Sequence, residues 1–359
     1  MTSRKRSFDD HDSDNVDANS SKKMSRCSLR QCLDEYGVTY AGIPKPISNI
    51  FDSLKDGHRP VNVPSCMKLF EKFTKNAVPF SLEDVNWSND LQFTLESDRM
   101  AVDTVEDAQK KLLKLADDME TDDFLKDKLQ KRLFMTWFEK VFSFLGEIKE
   151  ILEKLNVPSQ SSTKQGPNLR EGVFTHLFLK FAEIFFLKPE VGDNPEIELK
   201  KQNEIVGCIP DVRFYEHTHK GTQANLLLML AEVKRDALTE PSDGVVVCNQ
   251  TRIGRMIDRQ ILDQIGMELV EESGVSSFAP QTVGIIVMRT EIIFLILEMG
   301  RDHWTAIHKG ENVGEKCALI QYTESFDIMK AADRNKLGKF LFWLGCLQKN
   351  NLQKYYLLQ

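Results

Sequence analysis

The sequence predicts an α/β protein, a layered domain of strands and helices preceded by an all-α N-terminal domain. Residues 30 to 160 keep helical spacing of apolar side chains, a polar stretch holding Pro158 and Gly166 interrupts them, and beyond it strand-like runs alternate with helices. The 359 residues suit roughly two domains at about 150 residues each. The expected division is a tail at 1–28, a helical domain at 29–160, a linker at 161–168 and an α/β domain at 169–359.

Each part has its own justification. Residues 1–28 are Ser, Asp, Asn and Lys with few large apolar side chains, too little to offset the entropy of ordering, so a disordered tail is expected. Arg4-Lys5-Arg6 and Lys22-Lys23 have the layout of a bipartite nuclear import signal, and a solvated tail is the plain alternative. Val105, Ala108, Leu112, Leu115 and Met119 recur at spacings of three and four. Phe134, Trp137, Val141, Phe144, Ile148, Ile151 and Leu155 resume the pattern after Thr121-Asp122-Asp123, which predicts a helical hairpin. Asn156-Val157-Pro158 and the following serines end it.

Beyond the linker, helices are expected over Leu169 to about Leu187, Arg252 to Glu272 and about Ala331 to Gln348, the last with Leu337, Leu341, Leu344 and Leu347 on one stripe. Strands are expected over Ile209–Tyr215, Leu226–Val233, Thr282–Met288 and Ile292–Met299.

Composition narrows the function classes. A hydrophobic share of 41% with 28% charged residues excludes collagen-like and membrane-embedded chains. The net charge of −7 repels phosphate as a whole, so any nucleic-acid contact has to come from a local basic face. The seven cysteines form no C-x-x-C pair and read as free thiols of a reducing compartment. The basic start runs into Asp9 and Asp10 without an apolar core, so no secretory signal is expected, and no apolar run approaches the ~20 residues of a membrane span. The expectation is a soluble intracellular protein, nuclear or otherwise cytoplasmic.

The constellation that could carry chemistry begins at Pro210-Asp211, opening one strand, and continues at Glu232-Val233-Lys234, ending the apolar run Leu226–Ala231. Side chains alternate along a strand, so Glu232 and Lys234 share a face. With Asp211 across the ladder, two carboxylates and an ammonium would meet, a set suited to a Mg²⁺ (or Mn²⁺) ion and a water attacking a phosphodiester. Phe174, Phe178, Phe181 and Phe185 form one helical stripe that Glu171 extends, whereas Glu183 falls about 120° away; Glu171 is therefore preferred as a third acid. Glu-x-Lys also occurs at Glu147/Lys149 and Glu198/Lys200, but only Glu232/Lys234 ends a fully apolar run, where charge needs a partner or a metal. A structural ion pair at a strand end is the competing reading.

An acidic helix with Glu171, then Pro210-Asp211, then Glu232-Val233-Lys234, a helix and two more strands resembles the PD-(D/E)xK nuclease superfamily over roughly residues 166 to 300. The chain is also similar to nuclease-like domains of Crinkler-type and mobile-element proteins, without the N-terminal hallmark of either. The resemblance implies a restriction-endonuclease-like fold with a mixed sheet flanked by helices, a metal held by Asp211, Glu232 and Glu171, and Lys234 orienting the water or stabilising transition-state charge. It implies a nuclease acting on nucleic acid, DNA favoured, or else a nuclease-like domain without turnover that binds DNA or protein. Some members carry Gln-x-x-x-Tyr on the following helix; here Gln260 and Gln264 stand at i and i+4 with no Tyr in place.

Arg252, Arg255 and Arg259 fall at i, i+3 and i+7 of the same expected helix, with Lys234 and Arg235 just before it. These cations could bind phosphates or could pair with Asp258 and Asp263. His217-Thr218-His219 near Cys208 lacks the spacing of a zinc site, and His176 is expected to be a hydrogen-bonded core residue. No Walker loop, dinucleotide fingerprint or nucleophile elbow occurs. The helical domain is left as the surface for a protein partner.

Overall fold

A computed structural model of the chain describes residues 32–57, 98–120, 128–155, 170–191, 199–201, 204–206, 209–216, 226–236, 238 and 251–348. The tail, the linker at 161–168, the Thr121–Asp123 break and the His217/His219/Cys208 group lie outside them. In chain order the elements are α1 (Cys32–Glu35), β1 (Val38–Tyr40), α2 (Ile47–Gly57), α3 (Asp98–Glu120), α4 (Lys128–Leu155), α5 (Glu171–Ile184), β2 (Leu199–Lys201), β3 (Glu204–Val206) and β4 (Val212–Glu216). They continue with β5 (Leu226–Lys234), α6 (Arg252–Met256), α7 (Arg259–Glu272), β6 (Gln281–Met288), β7 (Glu291–Glu298), α8 (Arg301–Lys309), β8 (Ala318–Tyr322), β9 (Phe326–Asp327) and α9 (Ala331–Leu347).

The fold is α/β, built on a mixed seven-stranded sheet of order β1-β8-β7-β6-β5-β4, with β9 also paired to β7. β5 and β6 run parallel, joined through α6 and α7, while β4 lies antiparallel to β5 and β7 antiparallel to β6. Parallel neighbours require such a crossover, and a strand covered on both faces reads as a continuous apolar run. Leu226–Ala231 is that run, and every residue from Leu227 to Val233 is buried.

Two apolar layers sandwich the sheet. On one face Phe214, Val233, Ile285 and Phe294 meet α4, α5 and α9. On the other, Leu230, Ile286, Leu295 and Ile320 meet α1, α6, α7 and α8. The expected hairpin is present: α3 packs on α4, with Val105, Leu112, Phe134, Val141 and Ile148 buried between them. It does not stand apart from the sheet domain, since α4 packs on α5 with Phe144 and Phe181 at 5.6 Å.

Three expectations need correction. The stretch 29–160 is not all helical: β1 is a parallel partner of β8, in register Val38 with Ala318, and so an edge strand of the sheet. Three residues of alternating burial are too short for periodicity to reveal. The stripe expected on α9 is instead burial nearly all round from Phe340 to Gln348, because α2 closes its outer side with Phe51, whose ring lies 5.1 Å from Trp343. A Cβ at Gly345 would collide with the Phe185 carbonyl, so α9 crosses the end of α5 in near backbone contact. His176 is not a core residue; its side chain is 51% exposed, with Nε2 3.2 Å from Glu147.

A buried ion pair ties β4 to α7. Arg213 donates from Nε to Oε1 of Glu272 at 2.7 Å, and both side chains are 2% exposed. Removing one partner leaves an uncompensated buried charge, so Arg213→Met should cost about 3–5 kcal/mol, while Arg213→Met/Glu272→Leu together should recover most of it. Urea unfolding of the three proteins checks this; a single variant as stable as the wild type would show that the pair is not what holds β4 to α7.

Candidate functional site

The site lies at one end of the sheet, where β5 finishes and the antiparallel β4 begins. Val212 stands opposite Ala231, which sets Asp211, just before β4, beside the last turn of the pleat in β5. Asp211 is fixed there by the backbone, for its Oδ2 accepts the Val233 N–H at 2.8 Å. The alternation that turns Val233 into the α5 layer turns Glu232 and Lys234 towards α7. Asp211, Glu232 and Lys234 are thereby brought together as the sequence led us to expect.

Glu232 is 1% exposed, and its Oε1 accepts bonds from Lys234 Nζ and, at 2.6 Å, from Gln264 Nε2 on α7. Its Oε2 is buried without a hydrogen-bond partner. Burial, then the Asp211 charge, push its carboxyl up to about 7 against the pull of Lys234, with Glu171 adding to the rise. Lys234 feels the converse. Burial opposes its charge, yet Glu232, Asp211 and Glu171 together hold the ammonium above its ordinary value.

Glu171 belongs to this field from the opposite layer. It is the first residue of α5, whose Phe174, Phe178 and Phe181 are buried against the other face of the sheet, and its charge acts on both Glu232 and Lys234. Glu183 is elsewhere, paired with Lys140 at 2.8 Å. Among the described residues no group of three or more His, Cys, Asp or Glu side chains is arranged to hold a metal ion. The donor chemistry that is present consists of two carboxylates at one strand end, one with a free buried oxygen. This suits a hard divalent cation of the kind that binds through one or two carboxylates and keeps water and phosphate oxygens for its other positions.

Of the two glutamines, Gln264 joins the site and Gln260 sits one turn earlier, its backbone N–H donating to Asp258 Oδ1 at 2.7 Å. The Gln264 amide bridges two acids, because its Nε2 also donates to Oε1 of Glu268 at 3.1 Å. Glu268 escaped the sequence reading. It is fully buried, and burial followed by the Glu232 charge pushes its carboxyl well above the ordinary value. Its spacing, four residues after Gln264 within Ile265–Val270, was the available signal, since an acid in so apolar a run needs a partner.

The arginine face does not form as expected. Arg252–Glu272 is two helices, not one: Ile257 is extended (φ −128°, ψ 138°), and the Asp258 carboxylate restarts the chain as the cap of α7. Arg259 pairs with Asp34 at 3.0 Å and Asp263 at 3.7 Å. Arg252 and Arg255 are exposed on the short α6, and both bear electrostatically on Tyr322 of β8, three strands from β5, or about 14 Å at the spacing of neighbouring strands. Arg235 is exposed just beyond Lys234.

No family model matches the chain, and neither a curated protein nor a solved structure matches it.

Glu232 gives the site a pH signature. The folded protein keeps the Glu232 proton up to about pH 7, whereas the unfolded chain releases it near the ordinary 4.5. Between these values the native state binds more protons, so metal-free stability contributed by this group is present at low pH and lost as pH rises through the window. Thermal melts in chelator at pH 5 and pH 8 should show the wild type losing more stability than Glu232→Gln; equal losses would remove Glu232 as the titrating group.

Proposed function

We propose that the protein is a metal-dependent nuclease that hydrolyses phosphodiester bonds of nucleic acid, with DNA as the favoured substrate. The observation that carries the reading is the meeting of Asp211, Glu232, Lys234 and Gln264 at one strand end with Glu232 Oε2 unpartnered. The order α5, β4, β5, α7, β6 and the mixed sheet flanked by helices support the restriction-endonuclease-like fold that the resemblance implies.

Asp211 and Glu232 would hold a Mg²⁺ or Mn²⁺ ion, with Glu171 supplying further negative charge from the rim. Such an ion lowers the pKa of a bound water and neutralises charge on the phosphate. The chain's own groups divide the remaining work. Lys234 presents a fixed ammonium to the charge that develops on the phosphoryl oxygens. Gln264 holds the Glu232 carboxylate in one orientation, and Glu268 holds Gln264, a relay of the sort that keeps ligand geometry fixed. Nucleic acid is then the partner, the α3–α4 hairpin is the candidate surface for a protein, and the nucleus is the compartment that the basic clusters at 4–6 and 22–23 favour. No helix among the described residues is long and apolar enough to cross a membrane.

A second reading is favoured by one observation: the Lys234 ammonium is already engaged by Glu232 Oε1 within the chain. On that reading the domain is nuclease-like without turnover and binds DNA or protein.

Incubation of the purified protein with Mg²⁺ or Mn²⁺ and plasmid or single-stranded substrates separates the two. Cleavage by the wild type should vanish in Asp211→Ala. Lys234→Ala should lower kcat by ~10²-fold or more with little change in substrate affinity, the range for loss of one preorganised donor. Binding without cleavage selects the second reading, and cleavage surviving in Asp211→Ala overturns the first.

A further inference from the structure

The candidate site sets the carboxyls of Asp211, Glu171 and Glu232 around a single ammonium, that of Lys234. A phosphodiester arriving there meets charge of its own sign, so capture needs cations beside the strand end. Arg259 is engaged with Asp34 and Asp263, and Arg252 and Arg255 stand by Tyr322. A guanidinium that the sequence did not suggest lies closer along the fold.

Arg289 occupies the first position of the two-residue turn between β6 and β7. Because β6 runs parallel to β5, with Lys234 opposite Met288, this turn falls at the end of the sheet where Lys234 and Glu232 lie. Its backbone N–H donates to the Lys234 carbonyl at 3.0 Å. Its side chain reaches back along the same segment, Nε donating to the Arg235 carbonyl at 2.8 Å. The backbone of Arg289 is thus held by Lys234 and its guanidinium by the Arg235 carbonyl, both at the exit of β5.

The backbone conformation is unusual as well. Among the described residues two that are not glycine have positive φ, Phe186 at 62° and Arg289 at 58°. Phe186 terminates α5, a place where left-handed residues are common, and its ring is buried against Phe342 at 5.9 Å. Arg289 has neither reason. A positive φ at the first position of a two-residue hairpin is the place of glycine, and an L side chain held there is characteristic of functional sites.

We propose that Arg289 is a phosphate-binding residue, gripping a backbone phosphate of the nucleic-acid strand beside the bond under attack; this rests on the nuclease reading for the choice of substrate. With Nε held by the Arg235 carbonyl, the two terminal amino groups remain as a planar fork aimed by an anchored side chain, the geometry that matches two phosphate oxygens. Lysine would keep the charge and lose both the fork and the anchor.

The test is binding of a fluorescent DNA duplex by the full chain in Ca²⁺, over a series of salt concentrations, for the wild type, Arg289→Ala, Arg289→Gly, Arg289→Lys and Asp211→Ala. Glycine suits the positive φ, so Arg289→Gly should melt no lower than the wild type while binding about 10-fold more weakly. Loss of one phosphate contact should also lower the magnitude of the slope of log K against log salt by about 1. Arg289→Ala should bind as weakly as the glycine variant and Arg289→Lys should fall between. Wild-type affinity and salt slope in both Arg289→Gly and Arg289→Ala would show that the side chain only shapes the turn, and the proposal would fall while the nuclease reading stood. Duplex binding that depends on Arg289 in a protein that never cleaves would overturn the nuclease reading and leave Arg289 in place. A wild type that binds no nucleic acid would overturn both.

Discussion

A carboxylate carried by a central strand, in a sheet covered on both faces, sits where water cannot reach it, and an unpaired charge there would cost more than a domain's whole margin of stability. Glu232 is that carboxylate, and the surrounding polar groups can be read as its solvation. Lys234 lies two residues on along the same face of the strand, Gln264 comes from the helix above, and Glu268 accepts a second hydrogen bond from the Gln264 amide that faces Glu232. One oxygen of Glu232 is still left over.

The same interface between α7 and the sheet holds the Arg213–Glu272 pair on the neighbouring strand, so α7 meets β4 and β5 through two separate polar contacts set within apolar packing. Apolar contacts alone would leave the helix free to slide along its ridges. Two charged anchors fix its rotation and its height. They also fix where Gln264 falls relative to the end of β5, which is why a helix that contributes one amide to the site is held so firmly.

Much of this was legible in the sequence because burial and period leave clear marks. Leu226–Ala231 announces a strand covered on both faces, and an acid and a lysine closing it announce a site at its end. The phenylalanine stripe of α5 selected Glu171 over Glu183, and Glu183 pairs with Lys140. What escaped depends on information no local pattern holds. Ile257 and Asp258 fit a helical count as well as the chain on either side does, and only the Asp258 cap and the burial of Ile257 decide the break. The arginines therefore dispersed instead of forming one face. Arg289 was invisible because its meaning comes from the parallel register of β5 and β6, and register is a tertiary fact. Glu268 needed the pairing of Gln264 with Glu232 before its own place made sense.

The edge of the sheet has a consequence for how the chain comes to be folded. β1 at Val38–Tyr40 finds its partner in β8 at Ala318–Ile320, so more than three quarters of the chain is synthesised between the two. At 5–20 residues per second a ribosome needs roughly 15–60 s to make that interval. For that time β1 has no native partner, and a bare edge is the kind of surface that pairs with strangers. The brevity of β1, three residues long, limits what such an edge can offer a second chain. Closure of the sheet is therefore a late event, possible only once the C-terminal part of the protein has emerged, and any truncation before Ala318 leaves β1 without a strand to join.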